Sequence, residues 1–192
     1  MVIGLIKSAA REAKTVRILL RAKKWLDPIK NESTELLADD LEAAVDAYRA
    51  NIAFIFEGRT TSYGELDEQA NRVAHWALDQ GLKAGDTVAL FMENRPDYVA
   101  VWFGLSKIGV VPALVNANLI GEALVHSLKT VEPKLIITGA KQDSAIRSLE
   151  MVQIRQPVWT LGGKAGEPLT AELAAMPCAR PDRVHRAHLT NA

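Results

Sequence analysis

Cysteine is nearly missing from this sequence: Cys178 is the only one in 192 residues. A single thiol excludes an intramolecular disulfide and fits a reducing compartment. Long apolar runs are missing as well, none approaching the roughly 18–20 residues that a membrane span requires. Charges recurring from Lys7 onward interrupt any apolar stretch of a secretory leader. Net charge is absent, because 23 Lys and Arg balance 23 Asp and Glu, and that argues against a nucleic-acid partner for the molecule as a whole. No internal repeat or low-complexity tract is present. A Walker-type phosphate loop is lacking too: the nearest text, Gly162-Gly163-Lys164-Ala165, has neither the upstream glycine nor the hydroxyl residue such a loop needs. These absences leave a cytoplasmic globular protein as the expectation.

What remains is ordinary in bulk and uneven in detail. Hydrophobic residues make up 48% and charged residues 24%, the balance of a domain that buries its own core without staples. Residues 1–30 are basic, with Lys7, Arg11, Lys14, Arg17, Arg21, Lys23, Lys24 and Lys30 against Glu12 and Asp27. Residues 31–50 are acidic, with Glu32, Glu35, Asp39, Asp40, Glu42 and Asp46 against Arg49. Two such segments pair internally or present separate faces to different partners.

Periodicity divides the chain into three parts. Residues 1–30 read as a basic amphipathic helical extension, with Ile6, Ala9, Ala13, Val16 and Leu20 on one stripe. Asp27-Pro28 closes it. Residues 31–165 read as the main domain. A helix covers the Leu36–Tyr48 region, and a hairpin over residues 53–61 turns at Glu57-Gly58. Ser62-x-x-Glu65 is a capping box opening a helix whose inner face carries Leu66, Ala70, Val73 and Ala77, with Gly81 as its stop. Strands and helices then alternate. The strands are Thr87–Met92, Val110–Val115, Leu135–Thr138 and Val158–Leu161, and the helices are Pro96–Ile108, Gly121–Val131 and Ala145–Val152. The unalternating apolar text of Thr87–Met92 suits a parallel strand buried on both faces. The fold class is therefore α/β: a doubly wound, mostly parallel sheet flanked by helices, with an N-terminal helical extension and a small hairpin. Residues 166–192 are expected to form a loop-rich, poorly ordered tail, with a short helix at Leu169–Ala175.

Specific text then carries a resemblance. Thr61-Ser62-Tyr63-Gly64-Glu65-Leu66, just after the hairpin, resembles the first motif of the adenylate-forming (AMP-binding) acyl-CoA synthetase superfamily. Leu105-Ser106-Lys107-Ile108-Gly109-Val110-Val111-Pro112-Ala113 resembles its second. Gly85–Leu90 and Glu93–Tyr98 between them share its cadence. Val101–Leu105, Leu114–Leu119 and Ala123–Leu128 are similar to the fatty-acid-transport-protein and very-long-chain acyl-CoA synthetase branch. That branch usually has an arginine shortly after the second asparagine, where Ile120 and Gly121 stand here. The resemblance runs over roughly residues 33–165 and covers the N-terminal portion of such an enzyme.

The resemblance implies a ligase that activates a fatty acid with ATP and Mg²⁺ to an acyl-adenylate and then transfers the acyl group to coenzyme A. It implies equally that the Thr/Ser/Gly-rich phosphate loop, the adenine and ribose motifs and the catalytic lysine lie beyond these residues. On this reading the 192 residues hold no catalytic, cofactor-binding or metal-ligating residue and no cofactor, and are inactive alone. The two motifs have scaffold chemistry of their own: Glu65 at a helix start, and Lys107 with Gly109 at a helix end.

Other candidates are weak in chemistry. His185-x-x-His188 has two-ligand spacing, but only Asp182 is near. His75, His126 and the tryptophans 25, 76, 102 and 159 suit packing, and Cys178 has nothing beside it to lower its pKa. Residues 2–25 suit peripheral contact with an anionic membrane at its inner surface. An exposed sheet edge suits a dimer. The competing readings are a free-standing flavodoxin-like binding module, with Glu93-Asn94 and Asn116-Ala117-Asn118 at the strand ends as ligand groups, and a non-catalytic interaction module.

Overall fold

The structure, a computed structural model, describes residues 15–21, 37–149 and 155–182. The chain divides into two compact units, residues 1–34 with 190–192 and residues 35–189. Of the first unit only 15–21 are described. They are helical and exposed, Val16, Ile18, Leu19 and Leu20 included. The rest of the expected 2–25 helix, Trp25, His185 and His188 lie outside the described residues.

The second unit opens with α1 (Leu37–Tyr48). A hairpin of β1 (Ile52–Phe56) and β2 (Arg59–Ser62) follows. Its two-residue loop has positive φ at both Glu57 and Gly58, the backbone that matches a right-handed strand twist. Helix α2 (Tyr63–Asp79) starts on the capping box. The Ser62 hydroxyl accepts from the Glu65 amide, and Glu65 Oε2 accepts the Ser62 N–H at 2.7 Å. The Ser62 N–H, and after it the Ser62 hydroxyl donating to the same oxygen at 2.9 Å, hold the Glu65 carboxyl below its usual pKa.

Beyond it run β3 (Thr87–Phe91), α3 (Pro96–Lys107), β4 (Val111–Leu114), α4 (Gly121–Val131) and β5 (Leu135–Gly139). A 3₁₀ turn (Ala140–Gln142), α5 (Asp143–Leu149), β6 (Val158–Leu161), β7 (Glu167–Pro168) and α6 (Leu169–Ala175) complete the unit. The larger sheet is ordered β4-β3-β5-β6-β7, and every pairing in it is parallel.

Alternation along β3 and β5 explains why the sheet needs helices on both sides. Val88, Leu90, Met92, Leu135 and Ile137 face α2 and α3, where Val73, Trp76, Val101 and Leu105 complete one core. Ala89, Phe91 and Ile136 face α4 and α5, where Leu124, Leu128, Ile146 and Leu149 complete another. Each fully buried Leu, Ile or Phe side chain contributes about 1.5–3 kcal/mol, so the two faces stabilise the sheet comparably.

Two expectations differ from the structure. The helix expected at Ala145–Val152 begins at Asp143, whose carboxylate sits at the helix start and accepts two loop amides; residues 150–154 lie outside the description. The tail expected to be poorly ordered from residue 166 contains β7 and α6. Leu169 is buried in the first core, and Arg72 Nη1 donates to the carbonyls of Leu173, Ala174 and Met176, satisfying the end of α6. Residues 183–192 lie outside the described residues.

Candidate functional site

A doubly wound sheet offers its ligand crevice where neighbouring strands send their next helices to opposite faces. Here those strands are β3, followed by α3 on one face, and β5, followed by α5 on the other. Glu93 follows β3, Gly139 ends β5, and Lys141 and Gln142 follow it. The turn after β4 approaches from the side: Gln142 Nε2 donates to the Ala117 carbonyl at 3.3 Å.

Two acceptors meet in this crevice. Glu93 Oε2 and Gln142 Oε1 are buried without a hydrogen-bond partner. Both crowd one point: a Cβ on Gly139 would lie 2.8 Å from the first and 3.1 Å from the second. A side chain at residue 139 would have to push both side-chain ends aside. Lys141 Nζ stands 3.8 Å from the other Glu93 oxygen. The crevice thus presents acceptors and one cation to a ligand that donates hydrogen bonds. It holds no nucleophile paired with a base.

The other residues singled out in the sequence are either engaged within the fold or exposed. Asn94 is exposed. Asn116 Oδ1 accepts the Asn118 amide at 3.0 Å, capping its own turn. The Gly162–Ala165 loop has the outline of an anion cradle, but its amides are occupied. Gly163 N–H donates to Thr160 Oγ1, while the Lys164 and Ala165 amides donate to Asp143 at 2.6 and 3.1 Å. A phosphate would have to displace that carboxylate. His75 meets the Ala179 carbonyl at 2.9 Å, and His126 is exposed on α4. Trp76 is fully buried edge-on against Trp159, and Trp102 stacks on Phe103. Cys178 is exposed. No group of three or more His, Cys, Asp or Glu side chains gathers as a metal site among the described residues, and no helix there is long and apolar enough to cross a membrane.

Sequence reasoning missed two arrangements. One is a cavity of about 300 Å³ between α2, α3, α6 and the end of β6, lined by Arg72, Val101, Thr170, Leu173 and an Arg95–Asp97 ion pair. The other is a buried charge cluster. Lys107, fully buried, donates to Glu42 at 2.8 Å and Asp67 at 2.6 Å, both themselves buried. The signal for it existed. Glu42, Asp67 and Lys107 each occupy a position on the apolar stripe of their helix, beside Leu41, Leu66 and Gly104.

Together the all-parallel sheet, the helices on both faces and the crevice at the β3/β5 reversal define a doubly wound α/β domain. Comparison with known proteins makes this specific: residues 41–183 match the family described as AMP-binding enzyme, and the chain belongs to that family. Human long-chain fatty acid transport protein 6 is 38% identical over 128 residues, covering 66% of this chain and 20% of that protein. Crotonobetaine/carnitine–CoA ligase of Salmonella typhimurium is 34% identical over 121 residues, 60% of this chain and 23% of the ligase. The chain therefore spans about a fifth of the length of these curated relatives.

Solved structures agree on the fold. The anthranilate CoA ligase AuaEII, in complex with anthranoyl-AMP, superimposes with a TM-score of 0.70 at 17% identity, covering 76% of this chain and 29% of that one. The N-terminal domain of FACL13 from Mycobacterium tuberculosis gives 0.67 at 22% identity, covering 77% and 38%. The chain corresponds to the N-terminal portion of such ligases.

Proposed function

We propose that these residues are the N-terminal scaffold of an ATP-dependent fatty-acid–CoA ligase, which forms an acyl-adenylate and then an acyl-CoA. The observation that carries this reading is the family match across residues 41–183, continuous over the whole sheet and both motif helices. A carboxylate activated as its adenylate needs positioned positive charge around the phosphates. The Gly162–Ala165 amides are engaged by Thr160 and Asp143, which supports placing the groups that grip ATP and Mg²⁺ elsewhere in the full enzyme. A basic extension over residues 1–30 and a scaffold that begins at residue 31 belong to this reading, as does a cytoplasmic location.

The expected result is that the 192-residue chain alone catalyses no ATP–pyrophosphate exchange above background with palmitate and Mg²⁺. Measurable exchange overturns the reading.

Contact with an anionic membrane surface is proposed for residues 2–25. The described part supports it, with Val16, Ile18, Leu19 and Leu20 exposed beside Arg17 and Arg21. Co-sedimentation with phosphatidylserine-containing vesicles is expected to fall when residues 1–26 are deleted; unchanged sedimentation discards it. A dimer through the β4 edge has a point against it. The Val111 and Val115 amides donate inward to β3, so residues 112 and 114 face outward, and Pro112 has no N–H to offer.

A further inference from the structure

The buried cluster joins three helices. Lys107 comes from α3, Glu42 from α1 and Asp67 from α2, so a single ammonium is set against two carboxylates with almost no access to water. Uncompensated charge at such a place is expensive. A second cation comes from 113 residues beyond Asp67. Arg180 Nε lies 3.3 Å from Asp67 Oδ2 and 3.8 Å from Glu42 Oε1. Its two terminal nitrogens fork onto Asp46 at 3.2 and 2.7 Å, and Nη2 also reaches the Glu42 carbonyl at 3.4 Å.

All three guanidinium nitrogens are thus engaged, in a planar arrangement that an ammonium cannot reproduce. Hydrogen bonding to Arg180 holds the Asp46 carboxyl below its usual range, and the same contact pushes the guanidinium pKa up.

The backbone leading to Arg180 is fastened in the same direction. Arg72 takes the Met176 carbonyl at 2.6 Å, Asn71 the Cys178 carbonyl at 2.8 Å, and His75 the Ala179 carbonyl at 2.9 Å. Asn71, Arg72 and His75 all belong to α2, so this segment runs as a strap along that helix and ends with its guanidinium seated in the acidic pocket.

We propose that Glu42, Asp46 and Asp67 form a guanidinium-binding site, filled in cis by Arg180, which latches residues 176–182 onto α2. The site fixes the course of residues 176–182 along α2, and its ligand class is a guanidinium rather than a cation in general. This inference does not depend on the ligase reading.

Chemical rescue of Arg180→Ala in the full 192-residue chain tests it. The thermal midpoint is expected to fall by roughly 5–10 °C, and amide exchange over 176–182 to quicken on the order of tenfold or more. Millimolar methylguanidinium is expected to reverse both effects saturably, while methylammonium at equal concentration does not. Unchanged exchange at 176–182, or equal rescue by the two cations, overturns the proposal, the second because it reduces the site to charge screening. Should Arg180→Ala fail to fold, Arg180→Lys and Asp46→Asn replace it. Each is expected to quicken exchange at 176–182 while retaining the fold, and unchanged exchange in both overturns the latch.

Discussion

Lys107→Met is expected to lower the unfolding free energy by about 3–5 kcal/mol, the usual cost of removing one partner from a buried ion pair. For a chain of this length that corresponds to a fall of roughly 10 °C or more in melting midpoint. Methionine fills much the same volume, so little of the loss comes from a cavity. It comes from Glu42 and Asp67, which are 3% and 2% exposed and lose their buried ammonium while Arg180 stays beside them. The pairing with Lys107 does not make the cluster more stabilising than an apolar replacement would be, because desolvation offsets much of the attraction. A double variant separates the two effects. Adding Glu42→Gln to Lys107→Met removes the surplus negative charge and is expected to recover a large part of the loss, giving a strongly non-additive cycle by urea denaturation. If Lys107→Met melts within 2 °C of the parent chain, or if the second substitution adds its own full cost, the buried charges are not coupled as the geometry requires.

This cluster also marks where the sequence was legible and where it was not. Period and punctuation were enough for β3 to β6 but not for β7, since the β3 and β5 text is apolar except for Thr87 and the buried Thr138, and Ser62-x-x-Glu65 states its own cap. The hairpin followed from Glu57-Gly58 for the same local reason. What failed was long-range. Lys107 read as a cation at a helix end, favourable there for its own sake, because nothing local announces that Glu42 and Asp67 converge on it. Arg180 was unreadable for a stronger reason. Its segment has no periodicity of its own, and it is ordered by side chains of α1 and α2 more than 100 residues earlier. The crevice was half legible: Glu93 and the Asn116–Asn118 turn sit where strand ends must be, but Gln142 depended on a 3₁₀ turn before α5 that moved the helix start to Asp143.

Gly104→Val is expected to be the most damaging single change in the α2/α3 layer, leaving little folded protein, and Gly104→Ala to cost about 2–3 kcal/mol. The two helices cross at this residue. A Cβ there would stand 2.5 Å from the Ala70 carbonyl oxygen and 2.6 Å from Val73 Cβ. Ala70 O is backbone, so no rotamer change relieves it, and the helices must part. Alanine in place of a mid-helix glycine gains about 1 kcal/mol of helix propensity. Separating the helices outweighs that gain, because Val73, Ala74, Val101 and Leu105 on the two helices share one close-packed core. Trimming Val73 to alanine removes only its γ-methyls, so Gly104→Ala with Val73→Ala is expected to regain less than half of the Gly104→Ala loss. Urea midpoints of the three variants read this directly, with Trp76 on α2 and Trp102 on α3 as fluorescent reporters of the layer. A Gly104→Ala chain as stable as the parent, or more stable by the full propensity gain, means that α2 and α3 do not meet at this residue.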